Sequence, residues 1–471
     1  MSLTQALARE PGLGELPADP QLPQLALLLD AAAMRSLFEA ELQGSGRGRA
    51  LQLRGAALEK VSYRVGHHCT ALYRLELELP GSAPHSQWCS VRHVPPAELS
   101  RRHEAALRHG AEDRFAREPV ARWDAPSMLV WSFPSDPALQ QLPEVIDPES
   151  VRRALREHAA QLGLEPGVEL GALRCEPIKH MPGKRSVLRF EVALLRGSQP
   201  SGRLCFFSKS YRDARSRGIY RALAVLSAEL CRAGARTQVP RPLLHLDRLH
   251  TFWQEEWPGQ ALSRLHGSAD FAARLPLAAT ALAELHALRG EGLGPAHYVE
   301  RTAPDAAEDA AGIACMAPPL AARARAVARR LAQLESGLRA GARFRAVPIH
   351  GAFRASQLLE RDGRMAVIDL DAAALGDPHF DVAEFRASLL FQAFRRETPL
   401  AQLELWGSGF RSHYEREAAR ALDDARLAWL EAAFLLEKLY LARKNLELRV
   451  IPHGGAILDL CESRLAAAGR A

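Results

Sequence analysis

One stretch limits what this chain can become: HGAFRASQLLERDGRMAVIDLDAAALGDPHFD, from His350 to Asp381. It reads as a polar loop, a hairpin and a candidate acidic metal site. One hairpin strand, Ala366–Leu370, is apolar and β-branched, and the paired acids Asp369 and Asp371 close it. Carboxylates two residues apart on an extended strand point to one face. At the end of an apolar strand, beside a polar loop, such a pair suits a hard cation such as Mg²⁺. The plainer alternative is a hairpin with a charged end and no ligand.

Upstream of this stretch the chain is long enough to surround it with complete cores. Its 471 residues, 47% hydrophobic and 25% charged, fit two or three globular domains. The net charge of +6 is modest for this length. Of the 61 basic residues only six are Lys, a bias that points to a GC-rich genome rather than a nucleic-acid groove. Basic residues alternate with acids, as solvated helix faces do, so no nucleic-acid partner is expected. Seven scattered cysteines without a C-x-x-C fit reduced thiols. No basic leader or long apolar run stands out, which predicts a soluble, cytoplasmic protein without a membrane partner.

The order of elements predicts an α+β chain in four parts. Residues 1–50 read as a proline-rich leader, a helical pattern at Leu25–Leu42 and a glycine-rich linker. Residues 51–165 form a strand-rich unit, with two extended runs about Gly66, a third strand at Trp88 and helices at 96–109 and 147–162. Residues 166–258 repeat that order, with a hairpin from Ile178 to Val192, a third strand Leu204–Tyr211 and a helix at 215–232. The echo extends to Trp131-Ser-Phe-Pro-Ser-Asp-Pro-Ala-Leu-Gln-Gln-Leu and Glu255-Glu-Trp-Pro-Gly-Gln-Ala-Leu-Ser-Arg-Leu, which suggests an internal duplication. From 259 to 471 the pattern is helical, with a helix expected to start at Pro276 and an N-cap at Asp377-Pro378.

The central stretch resembles the aminoglycoside phosphotransferase and choline kinase family, relatives of the protein kinases. The matching residues are His350, Gly351, Gln357, Ile368, Asp369, Gly376, Asp377, Pro378 and Asp381. The resemblance implies a bilobal, protein-kinase-like fold with a strand-rich nucleotide lobe, a helical C-terminal lobe and an additional N-terminal strand-rich lobe. Maltokinases of this wider family also carry an N-terminal cap. It implies ATP and Mg²⁺ as cofactors and a small-molecule hydroxyl as phosphoryl acceptor. Metal ligands fall on Asp369, Gln357 and Asp371, with Gln357 one methylene longer than the family's usual Asn. The third-strand lysine is Lys209, where the first copy has Arg92. The turn Pro182-Gly183-Lys184-Arg185 would cover phosphates, and Gln254-Glu255 resembles the hinge that meets adenine.

One departure divides the functional readings. Where the family has the aspartate that accepts the hydroxyl proton, this chain has Ala352, and two residues later stands Arg354. His350 would brace the loop rather than react. Loss of a general base costs about 10²–10⁴ in rate, while positioning and electrostatics remain. The chain is therefore either an atypical small-molecule kinase or a pseudokinase that binds nucleotide, metabolite or protein without turnover. A structural protein without nucleotide is the third reading.

Overall fold

The computed structural model describes residues 16–44, 52–78, 84–108, 120–197, 199–294, 301–340 and 345–470. The expected leader before residue 16 and the linker at 45–50 lie outside the described residues.

Two helices, α1 (Leu25–Leu29) and α2 (Ala31–Gly44), precede the first sheet. Its strands are β1 (Gln52–Arg64), β2 (His68–Glu78), β3 (His85–His93), β4 (Ala121–Trp123) and β5 (Met128–Ser132), in the order β1-β2-β3-β5-β4. Helix α3 (Leu99–Leu107) follows β3, and its Leu99 joins Val94, Val120, Leu129 and Trp131 in one apolar cluster. Helices α4 (Leu142–Ile146) and α5 (Pro148–Glu157) come next. Asp147 caps α5 by accepting the Ser150 N–H at 2.8 Å, with Pro148 in the first turn.

The second sheet repeats the plan: β6 (Glu169–Met181), β7 (Arg185–Arg196), β8 (Gln199–Tyr211), helix α6 (Arg215–Ala233), then β9 (Pro242–Leu246) and β10 (Thr251–Glu255). Its order, β6-β7-β8-β10-β9, is the first sheet's order over again. The first hairpins also match, each turning through a left-handed glycine, Gly66 at φ 67° and Gly183 at φ 73°. Within the second hairpin Phe190 and Phe206 stack at 5.1 Å, and Leu188 and Val192 are buried. The duplication read from the aromatic-proline echo is thus a repeat of topology.

The remaining chain is mainly helical: α7 (Ala269–His286), α8 (Ala303–Met316), α9 (Ala321–Ala340), α10 (Pro378–Leu390), α11 (Gln392–Arg396), α12 (Leu400–Glu417), α13 (Asp424–Lys444) and α14 (Gly454–Ala468). Helix α7 starts earlier than Pro276. Ser268 caps it, and the proline sits inside, where it removes one backbone bond without ending the helix. A three-stranded sheet joins β11 (Gln260–Ala261), β13 (Leu358–Arg361) and β14 (Arg364–Val367), and a small ribbon pairs β12 (Val347–Ile349) with β15 (Ala374–Gly376). Phe353, Phe385 and Phe410 anchor this region, with the last two stacked at 4.0 Å.

The chain groups into two compact units. The first runs to Ala214 and adds Leu246–Thr251 and Lys444–Leu448; the second takes Arg215–His245, Phe252–Arg443 and the chain from Arg449. Among the described residues no helix is long and apolar enough to cross a membrane. No disulfide joins the seven cysteines.

Candidate functional site

In the second unit, β12 delivers His350 into a loop whose backbone is held from below. The Asp381 carboxylate, in the first turn of α10, accepts the N–H of His350 at 2.6 Å and of Gly351 at 2.9 Å. His286, at the end of α7, places Nε2 3.1 Å from the same carboxylate, and its Nδ1 meets the Tyr414 hydroxyl at 2.7 Å. With Nε2–H donating to Asp381, Nδ1 is left to accept from the tyrosine. Burial pushes the Tyr414 hydroxyl well above its ordinary pKa, which keeps it a donor. Asp381 is fully buried, so these bonds are what make its charge tolerable there.

His350 braces the loop, as expected. Its buried ring sets Nε2 2.9 Å from the Ile368 carbonyl, while Nδ1 accepts the Ala352 N–H at 3.2 Å. Gly351 is required by geometry: its φ is 75°, and a Cβ would lie 2.4 Å from the Ala372 carbonyl oxygen. The expected cap of α10 is present. Asp377 accepts the His379 N–H at 2.9 Å and pairs with Arg426, with Pro378 in the first turn. Burial opposes its ionisation, but His379 and Arg426 hold the carboxyl below the usual range.

Arg354 turns toward α10 rather than standing alone. Its Nε lies 3.6 Å from Glu384, a buried carboxylate whose two oxygens take Lys438 Nζ at 2.9 and 3.1 Å. Glu384 is thereby committed to cations. Nothing in this arrangement makes it a substitute for the missing carboxylate at Ala352.

The hairpin exists, with one correction. Its turn is Asp362-Gly363, both left-handed at φ 53° and 73°, the two-residue geometry that matches strand twist. However, β14 ends at Val367, and Asp369 has φ 64°. The two acids are therefore not a same-face pair on an extended strand. Aspartate is among the few residues that enter the left-handed region readily, so the strand breaks at the acid itself. The break carries Asp369 Oδ2 to 3.4 Å from Gln357 Nε2, and Ile368 N–H to the Gln357 carbonyl at 2.9 Å. Asp371 lies in the turn that follows, where the Ala373 N–H reaches the Leu370 carbonyl.

Two of the three candidate metal ligands, Gln357 and Asp369, thus meet directly. Among the described residues no group of three or more His, Cys, Asp or Glu forms a metal cluster. A carboxylate with an amide oxygen is nevertheless an oxygen donor set of the type Mg²⁺ takes, completed by phosphate and water.

The first unit holds Gly183, Lys184 and Lys209. Thr70, four residues past Gly66, faces Arg92; Val187, four residues past Gly183, faces Lys209. Arg92 therefore occupies in the first sheet the position of Lys209 in the second. Lys209 itself is buried. The Gly183 N–H donates to Asp136 at 2.8 Å, and the Lys184 N–H closes the turn on Met181 at 2.9 Å. In the second unit Gln254 is buried, and the exposed Glu255 bonds through its N–H to the Arg241 carbonyl at 2.9 Å. Glu229, near the end of α6, accepts the backbone N–H groups of Arg289, Gly290 and Glu291.

His286, Tyr414 and Asp136 carry contacts that the sequence did not announce. His286 was visible only as the last residue of an apolar helix, and neither Tyr414 nor Asp136 stood in a motif.

The family model for the phosphotransferase enzyme family matches residues 186–422, just over half of the chain. The chain belongs to that family. It has the family's protein-kinase-like fold, mixed helix and antiparallel sheet. Among solved structures, a protein described as a putative aminoglycoside phosphotransferase from Ralstonia eutropha aligns at 17% identity and TM-score 0.48, over 69% of this chain and 98% of its own. A choline kinase from Streptococcus pneumoniae aligns at 12% and 0.43, over 67% and 99%. A glucosamine kinase in complex with glucosamine, ADP and inorganic phosphate aligns at 18% and 0.42, over 97% and 99%. No curated protein sequence matches this phosphotransferase family member.

Proposed function

We propose that the protein binds a nucleoside triphosphate, ATP, with Mg²⁺, and serves phosphoryl transfer to the hydroxyl of a small molecule in an atypical form. The observation that carries this reading is the meeting of Gln357 and Asp369 at 3.4 Å beside a loop held by Asp381. Bound Mg²⁺ would supply neutralisation of phosphate charge. Asp369 and the Gln357 amide oxygen would hold it, which needs only a rotation of the amide. Lys209 would meet phosphate oxygens as a compact cation. Backbone at Gln254-Glu255 would receive the base.

Ala352 leaves the acceptor hydroxyl without a proton-accepting carboxylate, and Arg354 already faces Glu384. That observation favours a second reading, a pseudokinase that keeps the nucleotide site and lacks turnover. Calorimetric titration with Mg²⁺-ATP tests both: binding is expected in the wild type and weakened in Asp369→Ala. Absence of binding would remove both readings. ATP turnover with a panel of hydroxyl metabolites then separates them, because activity confined to Ala352→Asp identifies a lost base and activity in the wild type ends the pseudokinase reading.

A further inference from the structure

The loop that lacks a proton acceptor at Ala352 carries a cation two residues later. Phe353 is buried with its ring against Phe385 and Phe410, while Ala352 and Arg354 on either side of it are half-buried. Arg354 has extended backbone, φ −148° and ψ 157°, at the head of the short turn Ala355–Gln357. Its carbonyl accepts the Gln357 N–H at 2.8 Å, which ties the cation to the neighbourhood of the candidate metal ligands.

The charges around Arg354 do not balance. Glu384 Oε1 lies 3.6 Å from its Nε, an ion-pair distance too long for a hydrogen bond. That carboxylate already takes Lys438 Nζ on both oxygens, at 2.9 and 3.1 Å, and the Ser388 hydroxyl at 3.3 Å. Arg354 Nε is itself buried and has no hydrogen-bond partner among the described residues. Two cations thus share one carboxylate, and it is the lysine that holds it by hydrogen bonds. Glu384 and Lys438 are buried, whereas the Arg354 side chain is 41% exposed, so the surplus positive charge is the one that reaches the surface. The nearby buried acids of α10 and α13 do not offset it. Asp381 is taken by N–H groups of the loop, and Glu431 by Arg386 and Arg464.

A missing carboxylate and a surplus guanidinium on one loop are both answered by a carboxylate that arrives with the acceptor. The planar fork of arginine matches such a group with two parallel hydrogen bonds. A carboxylate is also the kind of base whose place Ala352 leaves empty, so a hydroxyl that brings its own needs none from the chain.

We propose that the acceptor is a hydroxy acid, whose carboxylate is held by Arg354 and takes the hydroxyl proton that Ala352 cannot. In that step the hydroxyl oxygen bonds to the γ-phosphorus, the bond from that phosphorus to the β-phosphate oxygen breaks with ADP as leaving group, and the proton passes to the acceptor's own carboxylate. The proposal rests on the ATP-dependent reading above and names the class of its acceptor.

The test measures ADP release from Mg²⁺-ATP with glycolate, glycerate and gluconate, each against its neutral alcohol: ethylene glycol, glycerol and glucose. It uses the full chain as wild type, Arg354→Gln, Arg354→Lys and Ala352→Asp. Wild type should turn over an acid at least about 100-fold faster than its neutral partner, the usual cost of a missing base. Arg354→Gln should lower kcat/KM for that acid roughly tenfold or more, and Arg354→Lys should recover part of the loss. Ala352→Asp should invert the preference, because the chain then supplies a base to the neutral alcohol and repels the acid. The wild-type contrast needs no variant, so it decides the matter even where a variant folds poorly. Equal turnover of acid and alcohol, or acid turnover indifferent to Arg354→Gln, would overturn the proposal. Mg²⁺-ATP is titrated alongside: nucleotide binding without turnover of any acid sinks the hydroxy-acid acceptor and leaves the nucleotide reading standing, whereas absence of nucleotide binding removes both.

Discussion

Asp381 holds His350 by its backbone rather than by its ring: the carboxylate takes the His350 N–H at 2.6 Å and the neighbouring Gly351 N–H at 2.9 Å. One buried charge thereby fixes the entry to the loop, and His286 supports that charge from α7. Asp381→Asn keeps the shape but removes the charge and turns one acceptor into a donor facing N–H groups. Breaking such a buried pairing costs about 3 kcal/mol. The variant should therefore lose that much in urea unfolding and bind Mg²⁺-ATP more weakly; an unchanged unfolding midpoint would show that the carboxylate does not carry the loop.

Gly351 and Gly363 make a matched pair for backbone strain. Both are left-handed, but only at Gly351 would a Cβ strike another residue, 2.4 Å from Ala372 O; at Gly363 nothing lies within 4 Å. Gly363→Ala should cost about 1 kcal/mol, from left-handed strain alone. Gly351→Ala should cost at least about 2 kcal/mol more, because a carbonyl must move. Denaturant midpoints of the two variants check the ranking directly.

The loop, hairpin and helix cap were legible because each is a short-range affair. Gly351, Asp377 and Pro378 act on backbone within a few residues, and the duplicated sheets repeat a readable order of strands and glycine turns. Asp369 was misplaced because alternation along a strand presumes extended backbone, and a single left-handed residue cancels that inference. His286 and Tyr414 were hidden for another reason. Their partners lie far away in sequence, and a histidine at the end of an apolar helix looks the same whether it packs or supports a catalytic-type loop. Asp136 was invisible in the same way, since its role exists only once two sheets are side by side.

Asp309 on α8 offers a stability signal apart from the candidate site. Burial pushes its carboxyl up to about 6, with Glu437 and Asp305 adding to the rise and Arg301 opposing it. Between the ordinary carboxylate value and about 6, the folded chain therefore keeps a proton that the unfolded chain has released. Stability must fall as pH rises through that window, and the full cost is present above it. Asp309→Asn should gain on the wild type by roughly 3 kcal/mol between pH 4 and pH 7. Paired urea titrations at the two pH values measure that difference; a constant gap would show that Asp309 ionises normally.

Lys60 predicts the opposite slope for stability. Its ammonium is lowered to about 8 by burial, then by Lys179 on β6, Lys184 in the turn and Arg185 on β7. The unfolded chain holds this proton up to the ordinary lysine value of 10.5, so stability should rise between about 8 and 10.5. Lys60→Met removes the titrating group. Urea unfolding below and above that window should show the wild type gaining on the variant as pH rises; a constant gap would show that the buried ammonium carries no such cost.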